Sequence, residues 1–319
     1  MDPIIILGTG NSGSGAILDY LCGRGDVNDA LDGQEFRLLQ ERGGLSSLHR
    51  SLASEIHPDD ASYALIRFTK LAARLGADSA KLRIPPRLGY GFSRRIPGYD
   101  AAIAQFIKDI TACTFGIFPL QDLLELSTLD WLRFMAGRQP RGRNITAQKP
   151  VPVPEEEFLH HAQTLIRSLF YAAPTSARPA FDQAGSFWSP ITSTLYFGAG
   201  RKVIGVTRDP CDVYAANRKR LLGGAEEFAR YQTALGKLVA WDEWQHRDAL
   251  LVRFEDFVLN HQQERDRVCA LLNLNPAIAS SYDWTQSARN IGRYKDVLTA
   301  KEIAVLREIP ALPPTSTPV

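Results

Sequence analysis

The sequence predicts an α/β protein with a parallel sheet covered by helices on both faces and a large helical insertion. Three observations predict it. Short apolar runs, Ile4-Ile5-Ile6-Leu7, Lys202 to Thr207 and Leu250-Leu251-Val252, read as buried parallel strands. Helical periodicity returns after each of them, the alternation that gives a covered parallel sheet. A glycine- and serine-rich segment, Gly8-Thr9-Gly10-Asn11-Ser12-Gly13-Ser14-Gly15, joins the first strand to the first helix.

The elements follow in order. Ile17, Leu18, Tyr20 and Leu21 recur at helical spacing and stop at Cys22-Gly23, a C-cap signal. From 38 to 172 the pattern is mostly helical. Leu65, Phe68, Leu71, Ala72 and Leu75 share one face, as do Ile103, Phe106, Ile107 and Ile110. Phe158, Leu159, Ala162, Leu165, Ile166 and Leu169 form the clearest amphipathic helix. Two basic, turn-rich stretches separate these helices, Lys81 to Arg95 and Arg133 to Lys149. Pro179-Ala180-Phe181 then leads into Asp182-Gln183. After the strand ending at Thr207, a helix is predicted from Asp212 to about Leu222. Another is predicted from Ala225 to Trp244, with Phe228, Tyr231, Leu235 and Leu238 in phase. This divides the chain into a core of 1–37 and 173–309, an insertion of 38–172 and a loose tail of 310–319.

Composition removes several function classes. With 319 residues, 45% hydrophobic and 23% charged, the chain is long enough for a large core and ordinary for a globular protein. A net charge of +2 is too small to make nucleic acid the main partner. No apolar run approaches the roughly 20 residues of a membrane span, and no secretory signal is visible. Cys22, Cys113, Cys211 and Cys269 are scattered without a CxxC pair, so neither a zinc site nor a disulfide framework is expected. The reading is a cytoplasmic protein with reduced thiols.

Ligands in open parallel sheets bind at the carboxyl ends of the strands. Here those ends carry the glycine loop, Asp182-Gln183, Arg208-Asp209 and Arg253. The glycine loop suits a phosphate, because free N–H groups and a positive dipole meet at a helix N-terminus. Its pattern is ambiguous alone. Gly8-x-Gly10-x-x-Gly13 fits a dinucleotide loop, and Gly8 and Gly13 have Walker A spacing with Ser14 in place of the lysine. Arg208 at a strand end offers a planar fork to a phosphate, or an ion pair to Asp212. His160-His161, His49 and His57 read as surface or structural, and Trp188, Trp241, Trp244 and Trp284 as core.

Taken together, these motifs resemble those of sulfotransferases that use 3′-phosphoadenosine 5′-phosphosulfate (PAPS). Ser12-Gly13-Ser14-Gly15 resembles the family's 5′-phosphosulfate loop, and Arg208 to Asp212 its 3′-phosphate motif. Arg253-Phe254-Glu255-Asp256 is similar to a strand end of the family. Ser287 to Tyr294, followed by Leu298-Thr299, is similar to its C-terminal cofactor loop. The resemblance implies a P-loop nucleotide-hydrolase type of fold, with no metal. It implies sulfuryl transfer from PAPS to a hydroxyl of a small-molecule or glycan acceptor, such as a carbohydrate or lipid-linked saccharide.

By position it assigns Asn11, Ser12, Gly13, Ser14, Gly15 and Ala16 to the 5′ end of the cofactor. Arg208 and Asn217 fall to the 3′-phosphate, and Gly292 and Arg293 to a closing loop. Glu35 falls where members carry a catalytic glutamate, and Gln183 where many carry a lysine. Asn11 replaces the Arg or Lys that usually precedes the Ser-Gly, and Ala216 replaces a serine. Arg94, Arg95 and Arg143 of the insertion are the expected substitutes for the missing cations. Two other readings stand beside this one: an NAD(P)-dependent oxidoreductase using Gly8, Gly10 and Gly13, and a sulfotransferase-like protein that binds without turnover.

Overall fold

The computed structural model describes residues 2–54, 58–79, 88–116, 128–136, 146–150, 154–171, 177–221 and 223–310. The chain forms two compact units, Met1–Arg37 with Phe170–Val319, and Leu38–Leu169.

The first unit is built on parallel strands. β1 (Ile4–Gly8) begins the chain, and β2 (Val27–Asp29) follows the helix α1 (Ser14–Cys22). In the second unit β3 (Thr111–Gly116) pairs antiparallel with β4 (Thr146–Pro150). Back in the first unit come β5 (Arg178–Asp182), β6 (Lys202–Thr207) and β7 (Ala249–Arg253). The five strands of the first unit lie parallel in the order β2-β5-β1-β6-β7. β1 is central because all four of its aliphatic side chains are fully buried.

Both sheet faces are covered, which makes three layers. Side chains alternate across a strand. Ile4 and Ile6, with Ala180, Ile204, Val206 and Val252, pack against Ile17 and Leu21 of α1 and against Phe257, Val268 and Leu272. On the opposite face Phe181 meets Phe170 at 4.8 Å and Phe197 at 4.9 Å between ring centres. Trp244 anchors the same layer, its indole N–H donating to Phe187 O at 3.0 Å. Burying each such side chain contributes about 1.5–3 kcal/mol. The fold is therefore the three-layer α/β arrangement with a parallel sheet that the sequence predicts.

Details depart from the sequence reading. The helix after β6 runs Pro210–Asn217, starting earlier than expected because Asp209 caps it and Pro210 suits the first turn. The region expected as one helix is two, Ala225–Gly236 and Trp241–Trp244. Gly236 ends the first run, glycine being a poor helix former. Phe228 is buried as expected, but Tyr231 and Leu238 are 61% and 69% exposed. The second unit adds the β3–β4 ribbon to the expected helices Pro58–Gly76, Tyr99–Asp109 and Glu155–Phe170. His49 stacks on Phe158 with ring centres 4.7 Å apart and lies 3.6 Å from Glu155, and burial lowers its pKa. His57 lies outside the described residues.

Candidate functional site

The glycine loop leaves the carboxyl end of β1, and its shape depends on close packing. A Cβ on Gly8 would stand 2.1 Å from Ser12 Oγ, and one on Gly13 would stand 2.4 Å from the Phe254 ring. Gly13 also takes φ 97°, which only glycine holds without strain. Ser12 is 1% exposed and acts as the loop's internal brace: its Oγ accepts from Thr9 N–H at 3.2 Å. Ala16 N–H donates back to Gly13 O at 3.0 Å. Among the described residues, the N–H groups of Asn11, Gly13, Ser14 and Gly15 take no partner within the protein. Free donors at the start of a helix are the arrangement that suits an anion.

Asn11 carries φ 52°, a left-handed conformation that asparagine tolerates better than most residues. Its amide donates to Asn217 Oδ1 at 2.5 Å, and Asn217 Nδ2 in turn donates to Val213 O at 2.9 Å. The helix after β6 thus holds the tip of the glycine loop. Asn217 acts here by fixing Asn11.

Arg208 stands at the end of β6 with its side chain only 10% exposed. It donates to Asn11 O at 3.1 Å and to Asn290 O, and its guanidinium lies 4.9 Å from the centre of the Phe254 ring. Its Nε is buried without a hydrogen-bond partner. Burial lowers its pKa, and Asp212 and Glu255 oppose that.

Asp212 does more than pair with Arg208, which sits 4.0 Å away. Its two oxygens accept from Gly292 N–H at 2.7 Å and Tyr294 N–H at 3.1 Å, pinning the C-terminal loop. Gly292 supplies the φ of 75° that this turn requires. Arg293 is exposed, donates to Asn290 Oδ1 at 3.2 Å, and is near enough to lower the pKa of Arg208. At the end of β7, Arg253 pairs with Glu255 at 3.0 Å, while the other oxygen of Glu255 accepts from Asp209 N–H.

At the end of β5, next to β1, the groups are different. The Gln183 carboxamide is hydrogen-bonded to Ser14 Oγ at 3.0 Å and lies 3.3 Å from Gly8 N. Its backbone takes φ 54°, a second strained position beside the loop. Asp182 is the residue that reading the sequence missed as a site residue. Burial, aided by the charges of Glu35 and Asp29, raises its pKa to about 6 against a hydrogen bond from Ser14. Its Oδ1 is buried without a hydrogen-bond partner. The signal was present: an acid closing a buried strand finds no water to solvate its charge.

Glu35 follows β2 at the sheet edge, pairs with Arg37, and has a side chain 36% exposed. Arg94 pairs with Asp78 at 3.1 Å inside the second unit, and Arg143 lies outside the described residues. No cluster of metal-ligating side chains occurs among the described residues, and no helix there is long and apolar enough to cross a membrane.

No family model and no curated protein sequence matches the chain. Three solved structures that resemble it are sulfotransferases. The sulfotransferase domain of the Synechococcus PCC 7002 olefin synthase is 13% identical, with a TM-score of 0.45, covering 96% of this chain and 94% of that one. The sulfotransferase domain from the curacin biosynthetic pathway is 12% identical, with a TM-score of 0.37 over 99% and 94%. Sulfotransferase STF9 from Mycobacterium avium is 12% identical, with a TM-score of 0.35 over 96% and 66%.

Proposed function

We propose that the chain is a PAPS-dependent sulfotransferase acting on a hydroxyl of a small-molecule or glycan acceptor. The observation that carries this reading is Arg208. A buried guanidinium with an unused Nε, tied to the glycine loop and to the C-terminal loop at once, suits a second phosphate beside the first. A nucleotide phosphorylated at both its 5′ and 3′ positions has this need.

The residues fit such a ligand. The N–H groups of Asn11 to Gly15 receive its 5′ end, Arg208 its 3′-phosphate, and the pinned Gly292-Arg293 turn covers the cofactor. PAPS, when bound, supplies a sulfuryl group on a good leaving group. The chain positions and neutralises, which is most of what such a transfer needs. Two carboxylates compete for the acceptor's proton. Asp182 suits general-base work better than Glu35, because its pKa is raised to about 6 and one oxygen is unused, whereas Glu35 is tied to Arg37. Gln183 and Ser14 hold that end of the loop in place of a lysine. The cytoplasm, with free thiols, is part of the same reading.

The sheet order speaks against the oxidoreductase alternative. In a dinucleotide fold the second strand adjoins the first, so an acid at its end reaches the ribose. Here β5 lies between β1 and β2, which removes Glu35 from that place.

The test is turnover. Incubation with PAPS and a panel of phenolic, alkyl and saccharide hydroxyls should release adenosine 3′,5′-bisphosphate only with the right acceptor. Hydrolysis or transfer by no member of the panel, despite tight binding of the bisphosphate, would support a binding protein instead.

A further inference from the structure

The first unit holds a cavity of about 700 Å³, most of whose lining has no part in the proposed transfer. It opens above the carboxyl ends of β6 and β7, between the helix Pro210–Asn217, the helix Ala225–Gly236 and the helix Ala300–Arg307. Its size lies within the range of small-molecule sites. Val213, Phe228 and Trp241 give it apolar and aromatic walls, and Lys237, Arg253 and Arg307 reach it with cations.

These charges are unequal in availability. Arg307 is already held, 3.2 Å from Asp209 and donating to the Tyr294 hydroxyl at 2.7 Å. Arg253 pairs with Glu255 but keeps half of its side chain exposed. Lys237 is exposed and has no ion pair among the described residues. Of the four cations in the lining, Arg208, Arg253 and Arg307 are answered by Asp212, Glu255 and Asp209, which leaves Lys237 as the one without an ion pair among the described residues. An apolar, aromatic-walled pocket with an exposed, unpaired lysine suits an apolar body that carries an anion.

The cavity is also displaced from the chemistry. Asp182 closes β5, while the cavity caps β6 and β7, with β1 between them. Neighbouring strands lie about 4.8 Å apart, so β5 and β6 are separated by roughly 10 Å. Thr9, Arg208, Asp209 and Arg253 belong to both regions, the rest of the lining to the cavity alone.

We propose that this cavity is a second small-molecule site, for an aromatic or alkyl anion, separate from the nucleotide cradle. The proposal goes beyond the sulfotransferase reading and does not depend on it. Calorimetric titration of the full chain with naphthalene-2-sulfonate tests it, with 2-naphthylmethanol and 2-naphthylmethylammonium as the neutral and cationic counterparts. The sulfonate should bind one-to-one, at least tenfold tighter than the alcohol, with the ammonium weakest. Lys237→Glu, at an exposed position, should weaken the sulfonate at least fivefold without lowering the melting temperature. Thr233→Trp, which fills the cavity from the helix Ala225–Gly236, should abolish binding. Saturating adenosine 3′,5′-bisphosphate should leave the sulfonate bound. Equal binding of the three probes, indifference to both substitutions, or full displacement by the bisphosphate would overturn the proposal. A chain that ignores the bisphosphate leaves this test intact, because the naphthalene probes read the cavity alone.

Discussion

The two sides of β1 are built from different materials. On the β6 side the groups are charged and over-determined: Arg208 is held by two carbonyls, a ring and a carboxylate, and Asp212 by two backbone N–H groups. On the β5 side they are neutral or reluctant to ionise: Gln183, Ser14 and the raised carboxyl of Asp182. A buried ion pair anchored by backbone groups fixes a ligand's position, whereas a desolvated acid near neutrality is poised to exchange a proton. On the proposed sulfotransferase reading, ground-state binding falls to the β6 side and proton transfer to the β5 side.

Three substitutions can break that division. The largest effect belongs to Asp212→Ala, which strands a buried arginine and frees the Gly292 and Tyr294 N–H groups. It should cost about 3–5 kcal/mol of stability, read as a fall in the thermal unfolding midpoint, with loss of bisphosphate binding. Retained stability would mean that the C-terminal loop is held by other contacts.

Asp182→Asn should come next. It should lower kcat by about 100-fold while leaving bisphosphate affinity nearly unchanged. Its stability effect has the opposite sign. A carboxyl whose folded pKa is about 6, above its ordinary 3.8, destabilises the fold above that folded pKa, and the penalty fades as the pH drops toward the unfolded value. The variant should therefore be more stable than wild type at pH 7.5, by on the order of 2 kcal/mol, and this gain should shrink between pH 6 and 4. In the wild type, kcat should rise with pH through about 6. A flat profile below pH 7 would move the base elsewhere, with Glu35 the first alternative.

The smallest effect is Asn217→Ala, which removes the clasp on Asn11. One net hydrogen bond is worth about 1 kcal/mol. The expected result is a several-fold weaker bisphosphate complex, detectable by titration, with little change in unfolding.

The fold was legible because parallel strands buried on both faces must be continuous apolar runs, and Ile4 to Leu7 and Val203 to Val206 are such runs. The loop and the strand-end place of Arg208 were legible because a glycine cluster between an apolar run and a helical pattern marks a strand–loop–helix turn, and an apolar run that stops at an arginine marks the end of a buried strand. What sequence reading missed were partnerships set by sheet order. Asp182 looked like a strand terminus until β5 was placed beside β1, where Ser14 and Gln183 meet it. Asp212 looked like a helix-capping partner of Arg208 until Gly292 and Tyr294, some 80 residues on, came to its oxygens. Helix ends failed for local reasons: Gly236 cut a periodic pattern that continued through Leu238.

The central claim is that Arg208 and the glycine loop together hold a nucleotide phosphorylated at both 5′ and 3′ positions. Calorimetric titration with adenosine 3′,5′-bisphosphate, against wild type and Arg208→Ala, tests it most directly, with NAD and ATP as controls. The bisphosphate should bind over both controls and about 100-fold more weakly to the variant, a loss of about 3 kcal/mol. Equal affinity of wild type and variant, or a preference for NAD or ATP, would contradict it.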